Sequence, residues 1–109
     1  MSIVYIKNSD ISRILIGTPI KHKHLRVVIE LRNGEKIIFS EATIANIVRA
    51  YVTIKTHPKI NSLELESYDL SDDQNLKEGY SKFQLLETNK ESLKISYEIE
   101  KILDEANKE

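Results

Sequence analysis

The sequence has no cysteine and no tryptophan, and it has only three glycines and two prolines among 109 residues. Without cysteine, the chain can form neither disulfides nor thiolate metal sites, and it has no cysteine nucleophile. No apolar run reaches the ~20 residues that a membrane-spanning helix needs, and the opening MSIVYIKNSD lacks the layout of a signal peptide. We therefore expect a cytoplasmic protein that does not bind membranes and that is stabilised by its own packing or by a partner subunit.

The composition is typical of a soluble globular protein rather than a disordered one, since 40% of the residues are hydrophobic and 30% are charged. A mass of 12.6 kDa allows one domain and leaves little room for a second. The sequence therefore predicts a single domain over residues 1–109.

The net charge of −1 conceals two halves of opposite sign. Residues 1–59 contain ten Lys and Arg but four acids, a net charge of +6, and all three histidines. Residues 60–109 contain six Lys and thirteen acids, a net charge of −7. Such asymmetry is typical either of a polyanion-binding face or of two surfaces that attract each other. The simpler interpretation is that the charges mix when the chain folds.

Residues 25–39 carry the signature of a β-hairpin. Two β-branched runs flank Asn33-Gly34, a pair that tolerates the positive φ angles of a type I′ turn. Strand alternation places four apolar side chains on one face of the first run, namely Leu25, Val27, Ile29 and Leu31. Val28 falls on the opposite face, among charged side chains.

Two helices are predicted, at about 41–56 and 89–107. Ser40 is a suitable N-cap for the first, which ends at His57-Pro58 because proline disfavours helical geometry in the residue before it. The apolar side chains of this first helix recur at helical spacing, at Ile44, Ile47, Val48, Tyr51 and Ile54. The second helix begins with the capping box of residues 88–91. Its apolar face contains Ile95, Ile99, Ile102, Leu103 and Ala106.

The remaining segments predict further strands. Residues 2–7 have apolar side chains on both faces, as in a fully buried strand, and residues 62–69 alternate with period two. Segments 11–17 and 80–87 fit either a strand or a helix, and residues 71–74 resemble the start of a short helical turn. The order of elements predicts an α+β fold: a mainly antiparallel sheet of four to six strands, including the 25–39 hairpin, covered by two helices.

The densest polar cluster lies in residues 21–26 and suggests a polyanion-binding site. Lys and Arg neutralise phosphates and release counterions, which makes such binding sensitive to salt. The candidate residues are Lys21, Lys23, Arg26, Arg32 and Arg49. The aromatic residues of the basic half fit a core or interface better than a stacking platform for bases, and the sequence pI of about 6.3 is low for such a protein. A solvated loop is the alternative interpretation of the cluster.

His22 and His24 are spaced to share one face of a strand, so they are candidate ligands for zinc or copper if His57 or a carboxylate supplies a third. Two histidines alone specify no metal geometry, and no cofactor is indicated. Catalysis has less support, because the sequence has neither a nucleophile elbow nor a glycine-rich phosphate loop. A histidine-dependent enzyme or metal site therefore remains only a third hypothesis.

The leading hypothesis is a non-catalytic binding or adaptor protein that associates with itself. Both helices have wide apolar stripes that one small sheet does not fully cover, and a homodimer or another protein partner would bury them. The candidate interface residues are Val28, Tyr51, Ile95, Ile99 and Ile102. Nucleic-acid or polyanion binding through the basic half is the second hypothesis.

Overall fold

The computed structural model describes residues 2–69 and 83–107. After a short 3₁₀ turn at Asn8–Asp10, its elements are β1 (Ile11–Gly17), β2 (Arg26–Leu31), β3 (Lys36–Ser40), α1 (Glu41–Thr56), β4 (Leu65–Asp69), β5 (Phe83–Glu87) and α2 (Ser92–Asn107). The strands form an antiparallel sheet in the order β1-β2-β3 and a separate antiparallel pair, β4-β5.

The predicted α+β class and its two helices are confirmed, but one sheet of four to six strands is not, because the strands divide into two sheets. The chain separates into two compact units, one of Met1–Arg49 with Leu103–Glu109 and one of Ala50–Ile102. A single domain over residues 1–109 therefore stays a prediction. Within the described ranges, no helix is both long enough and apolar enough to cross a membrane.

The three-stranded sheet is organised around β2, which is flanked on both sides. Val27 lies opposite Ile16 of β1 and Phe39 of β3, and this central position leaves it only 6% exposed. Ile29 is flanked in the same way by Ile14 and Ile37. Because directly opposed residues in antiparallel strands share a face, these side chains form one apolar face of the sheet.

The β2–β3 hairpin is confirmed, but its turn is not the predicted type I′ turn. Gly34 N donates to Leu31 O at 3.0 Å and Leu31 N donates to Glu35 O at 2.9 Å, so three residues form the loop. Gly34 has a φ of +94°, whereas Asn33 does not have positive φ. The Asn33 side chain instead accepts the Glu35 N–H at 2.9 Å, which fixes a turn with one left-handed residue.

Residues 2–7, predicted as a buried strand, pair with neither sheet. Both sides of the central strand β2 are occupied by β1 and β3, so the central position in that sheet is not open to them. Val4 and Tyr5 are exposed instead. The segment ends where Lys7 N donates to the Asp10 carboxylate at 3.0 Å, which closes the 3₁₀ turn.

The second unit contains the β4–β5 hairpin and most of α2. Strands are confirmed within the predicted segments 62–69 and 80–87, whereas the predicted helical turn at 71–74 lies outside the described residues. Helix α2 begins at Ser92, three residues later than predicted. Thr88 N donates to Glu64 O at 3.1 Å, so Thr88 extends the β4–β5 ladder, and the helix begins four residues after it.

Candidate functional site

Strand β1 forms one edge of the three-stranded sheet, and every residue from Ser12 to Gly17 is exposed. Three consecutive apolar residues follow Arg13 on this strand. Ile14 is 48% exposed, Leu15 45% and Ile16 67%. Side chains alternate between faces along a strand, so this edge presents apolar surface on both faces of the sheet.

Arg13, the charged residue of β1, faces Glu30 on the neighbouring strand. Its guanidinium donates to the two carboxylate oxygens at 2.6 and 3.1 Å, a bidentate pair. This hydrogen bonding lowers the pKa of Glu30 below its ordinary value. The only charged side chain on β1 therefore points across the sheet to β2 and not outward from the free edge.

The loop between β1 and β2 carries the basic cluster that the sequence singled out. Lys21, His22, Lys23 and His24 are all exposed. Lys21 has a left-handed backbone with a φ of +70°, which is uncommon for a residue with a side chain. Among the described residues, no carboxylate lies within 4.0 Å of the ammonium of Lys21 or Lys23.

The five candidate polyanion residues lie on different elements and have different partners. Arg26 lies near the loop, but its guanidinium donates to the carbonyl oxygens of Leu25 and His24 at 3.0 and 3.4 Å. Arg32 follows the opposite end of β2 and donates to Ser9 O at 2.8 Å. Arg49 lies on α1, where it donates to the Asn46 side chain at 3.4 Å. Lys21 and Lys23 are thus the candidates whose charges face solvent at one end of the sheet.

Of the two candidate metal ligands, His24 contacts a carboxylate. The Nδ1 atom of His24 lies 3.1 Å from a carboxylate oxygen of Glu41, and the same oxygen accepts the Leu25 N–H at 3.1 Å. Glu41 thereby ties the end of the basic loop to the first turn of α1. Across residues 2–69 and 83–107, no group of three or more His, Asp or Glu side chains is arranged to hold a metal ion.

The predicted interface residues differ in exposure. Tyr51, Ile99 and Ile102 are exposed, and Val28 is half-buried. Ile95 is only 5% exposed, so it belongs to the core of its own unit rather than to a surface. On α1, Tyr51 is accompanied by three further exposed apolar residues at helical spacing, Ile47, Val48 and Val52.

The exposed apolar edge of β1 is the feature that the sequence analysis missed. A signal for it exists in residues 11–17, where Ile14, Leu15 and Ile16 are consecutive and no proline or lysine interrupts the strand. Consecutive apolar residues in a strand indicate a segment that is covered on both faces. The sequence alone allows either a strand or a helix for this segment, because its apolar run is short.

A network of charges lies in the second unit. The Lys90 ammonium donates to Glu64 at 2.9 Å and to Glu98 at 3.4 Å, which joins the residue before β4 to α2. The hydrogen bond from Lys90 lowers the pKa of Glu64 below its ordinary value, and the two carboxylates raise the pKa of Lys90. Opposite charges that satisfy each other in this way favour a structural role.

Comparison of the chain with protein-family models, with curated proteins and with solved structures found no match. What the protein does must therefore follow from its own side chains.

Proposed function

We propose that this chain is a small non-catalytic binding protein that associates with copies of itself. The observation that supports this function is the apolar surface of the described residues. Val27 and Ile95 are the only large hydrophobic residues buried there, while others remain exposed on β1, α1 and α2. Monomeric soluble proteins rarely expose contiguous apolar patches beyond a few hundred Å².

Covering this surface is energetically favourable. Complete burial of one Val, Leu or Ile side chain contributes about 1.5–3 kcal/mol, and an ordinary interface covers about 800 Å² on each partner. The exposed apolar residues lie on several elements. A self-associated form would bury some of them, so it would remove more apolar surface from water than the isolated chain does. Self-association is also the simplest way for one sequence to supply a matching partner.

Sedimentation equilibrium of the purified chain over a wide concentration range tests this function. We expect a mass of at least twice the 12.6 kDa of one chain, and this mass should persist at high salt because apolar contacts are not screened. An association that disappears at high salt would indicate pairing of opposite charges instead. A mass of 12.6 kDa at every concentration would contradict self-association.

Polyanion binding is the second candidate function, and the basic loop supports it. Lys21 and Lys23 are exposed and have no carboxylate partner among the described residues. Two flexible ammonium groups on one loop can approach a phosphate backbone without first breaking an ion pair. The third hypothesis, a histidine-dependent enzyme or metal site, stays a prediction, and among the described residues no group of three or more His, Asp or Glu side chains is arranged to hold a metal ion.

Titration of a fluorescent single-stranded oligonucleotide at several salt concentrations tests this second function. We expect affinity to fall steeply with salt and to be lost when Lys21→Glu and Lys23→Glu are combined. The double variant Lys7→Glu with Lys59→Glu makes the same change in net charge at exposed positions elsewhere. Equal losses in both double variants would show that only overall charge matters, and no binding at low salt would contradict the proposal.

A further inference from the structure

Strand β1 lacks the features that usually protect a sheet edge. An edge strand leaves a row of backbone N–H and C=O groups unpaired, and proteins commonly block such edges with lysine, proline or a bulge. From Arg13 to Gly17 there is neither lysine nor proline, and the register irregularity lies before this stretch, between Ile11 and Arg13. The Arg13 guanidinium is held by Glu30 of β2. Among the described strands, none pairs with the outer edge of β1 over these five residues.

The other described strand edges differ from β1. Strand β3 has five residues, begins at Lys36 and continues directly into α1 at Glu41. In the second sheet, β4 contains Glu66 and Asp69, and β5 ends at Glu87. Charged side chains at an edge disfavour pairing with a further strand. Among the described strands, β1 combines the greatest length with the most continuous exposed apolar sequence.

We propose that β1 pairs antiparallel with β1 of a second copy of this chain, about a two-fold axis. This inference rests on the proposed function of self-association and assigns it to one surface. Antiparallel pairing of a strand with itself satisfies a two-fold axis directly, because each residue then meets its symmetry-related counterpart in the same register. The two three-stranded sheets join into one antiparallel sheet of six strands.

The side chains of β1 select a register centred on Leu15. In that register Leu15 lies opposite the partner's Leu15, and Ile14 lies opposite the partner's Ile16. Opposed residues share a face, so both faces of the new sheet continue as apolar surface across the axis. Arg13 lies opposite the partner's Gly17, which has no side chain. A register centred on Arg13 would oppose two like charges, and one centred on Ile14 would oppose Arg13 and Leu15.

The space beside Gly17 is consistent with this register. No heavy atom lies within 4 Å of the position that a Cβ would take at Gly17. A shallow cavity of about 280 Å³ opens there, and its lining includes Leu15, Pro19 and Val28. This open space leaves room for the backbone and Cβ of the partner's Arg13, whose guanidinium stays paired with Glu30 of its own sheet.

Disulfide trapping tests the register, and the absence of native cysteine makes the experiment unambiguous. In Leu15→Cys, the two thiols lie in opposed positions with Cα atoms about 4.5–5.5 Å apart, which is within the range for a disulfide. In the control Gly17→Cys, the two cysteines are displaced by four residues, about 14 Å along the strand. Gly17 is exposed on the same face, without positive φ, so the control is matched.

We expect mild oxidation to convert Leu15→Cys into a covalent dimer at least about tenfold faster than Gly17→Cys, because only the first has disulfide geometry. Equal rates for the two variants would overturn the β1 pairing. A faster reaction of Gly17→Cys would also overturn it, because that result requires a different register.

Sedimentation of Leu15→Lys and Ile38→Lys separates this inference from the proposed function. Both residues are exposed on the same face of the sheet, with Ile38 64% exposed, but Ile38 lies on β3 away from the β1 edge. We expect Leu15→Lys to sediment as a monomer and Ile38→Lys to retain the mass of the unsubstituted protein. If Leu15→Lys associates with itself as well as the unsubstituted chain does, the β1 pairing is overturned and self-association remains. A monomeric unsubstituted chain would overturn both.

Discussion

The three-stranded sheet and the β4–β5–α2 region are stabilised by different kinds of contact. In the sheet, the buried Val27 is flanked by the apolar residues Ile16 and Phe39. In the second region, Ile95 is the buried hydrophobic residue, and serine hydroxyls and the Lys90 ammonium make polar contacts between elements. The hydroxyls of Ser62, Ser92 and Ser96 join the segment before β4 to α2.

The two kinds of contact give the two regions different roles: one fixes its own fold, and the other can be extended by a partner. Polar contacts are directional and satisfy specific partners, so the serine hydroxyls fix the segment before β4 against α2. The sheet relies on apolar faces, which are not directional and extend to its exposed edge at β1. The sheet is therefore the part whose contacts can be continued by another molecule.

Truncating the buried residue of the second region should produce the largest effect. We expect Ile95→Ala to lower the free energy of unfolding by about 2–5 kcal/mol, since it leaves a cavity at a buried position. The control Ile99→Ala removes an exposed side chain of the same helix and should cost far less. Urea denaturation measures both. Equal small losses would show that the polar contacts alone stabilise this region.

Removing one serine hydroxyl should produce the next largest effect. The Ser92 Oγ atom accepts the backbone N–H groups of Asn61 and Ser62, each at 2.8 Å. In Ser92→Ala these donors lose their partner, which should cost about 1–3 kcal/mol of unfolding free energy. Ser67→Ala, at an exposed position of β4, is the control and should be nearly neutral. If both variants unfold at the same urea concentration, the polar tether does not stabilise this region.

A pair of glycine substitutions tests the backbone of the sheet. Gly34 has positive φ, so Gly34→Ala should cost about 1–2 kcal/mol because a Cβ is strained in this conformation. Gly17 does not have positive φ and has open space around it, so Gly17→Ala should be tolerated. Thermal unfolding compares the two. Equal tolerance would show that the β2–β3 turn adopts another conformation.

The smallest expected effect is the acid dependence of the two ion pairs. Hydrogen bonds from Arg13 and Lys90 lower the pKa values of Glu30 and Glu64, respectively. Each pair therefore contributes stability above the carboxyl's ordinary pKa, and this contribution is lost as the pH falls through the lowered value. Glu64→Gln and Glu30→Gln should each flatten the fall of the urea midpoint between neutral and acidic pH. Unchanged profiles would contradict both pairs.

Local patterns predicted the secondary structure better than they predicted its assembly. The 25–39 hairpin and α1 depend on neighbouring residues, so turn, cap and periodicity signals were sufficient to place them. The division into two sheets depends on which strands pair, and nothing in the alternation of residues 2–7 shows that β2 is already flanked. The helix α2 begins three residues after its predicted start, since Thr88 fits a capping box in sequence but extends the strand ladder in the structure.

The candidate site was predicted in part for the same reason. Exposed lysines in the β1–β2 loop follow from composition, and the structure places Lys21 and Lys23 there. Arg32 lies at the opposite end of β2, where the predicted hairpin had already separated it from this loop by the length of a strand. The apolar β1 edge required knowledge of the strand order, which no local pattern specifies.

Amide hydrogen exchange at low and high protein concentration tests the β1 pairing most directly. If β1 pairs with a second copy, outward-facing amides between Arg13 and Gly17 should exchange more slowly as concentration rises, while those of β3 should not change. Exchange in β1 that is independent of concentration, in a sample shown to associate, would contradict the pairing.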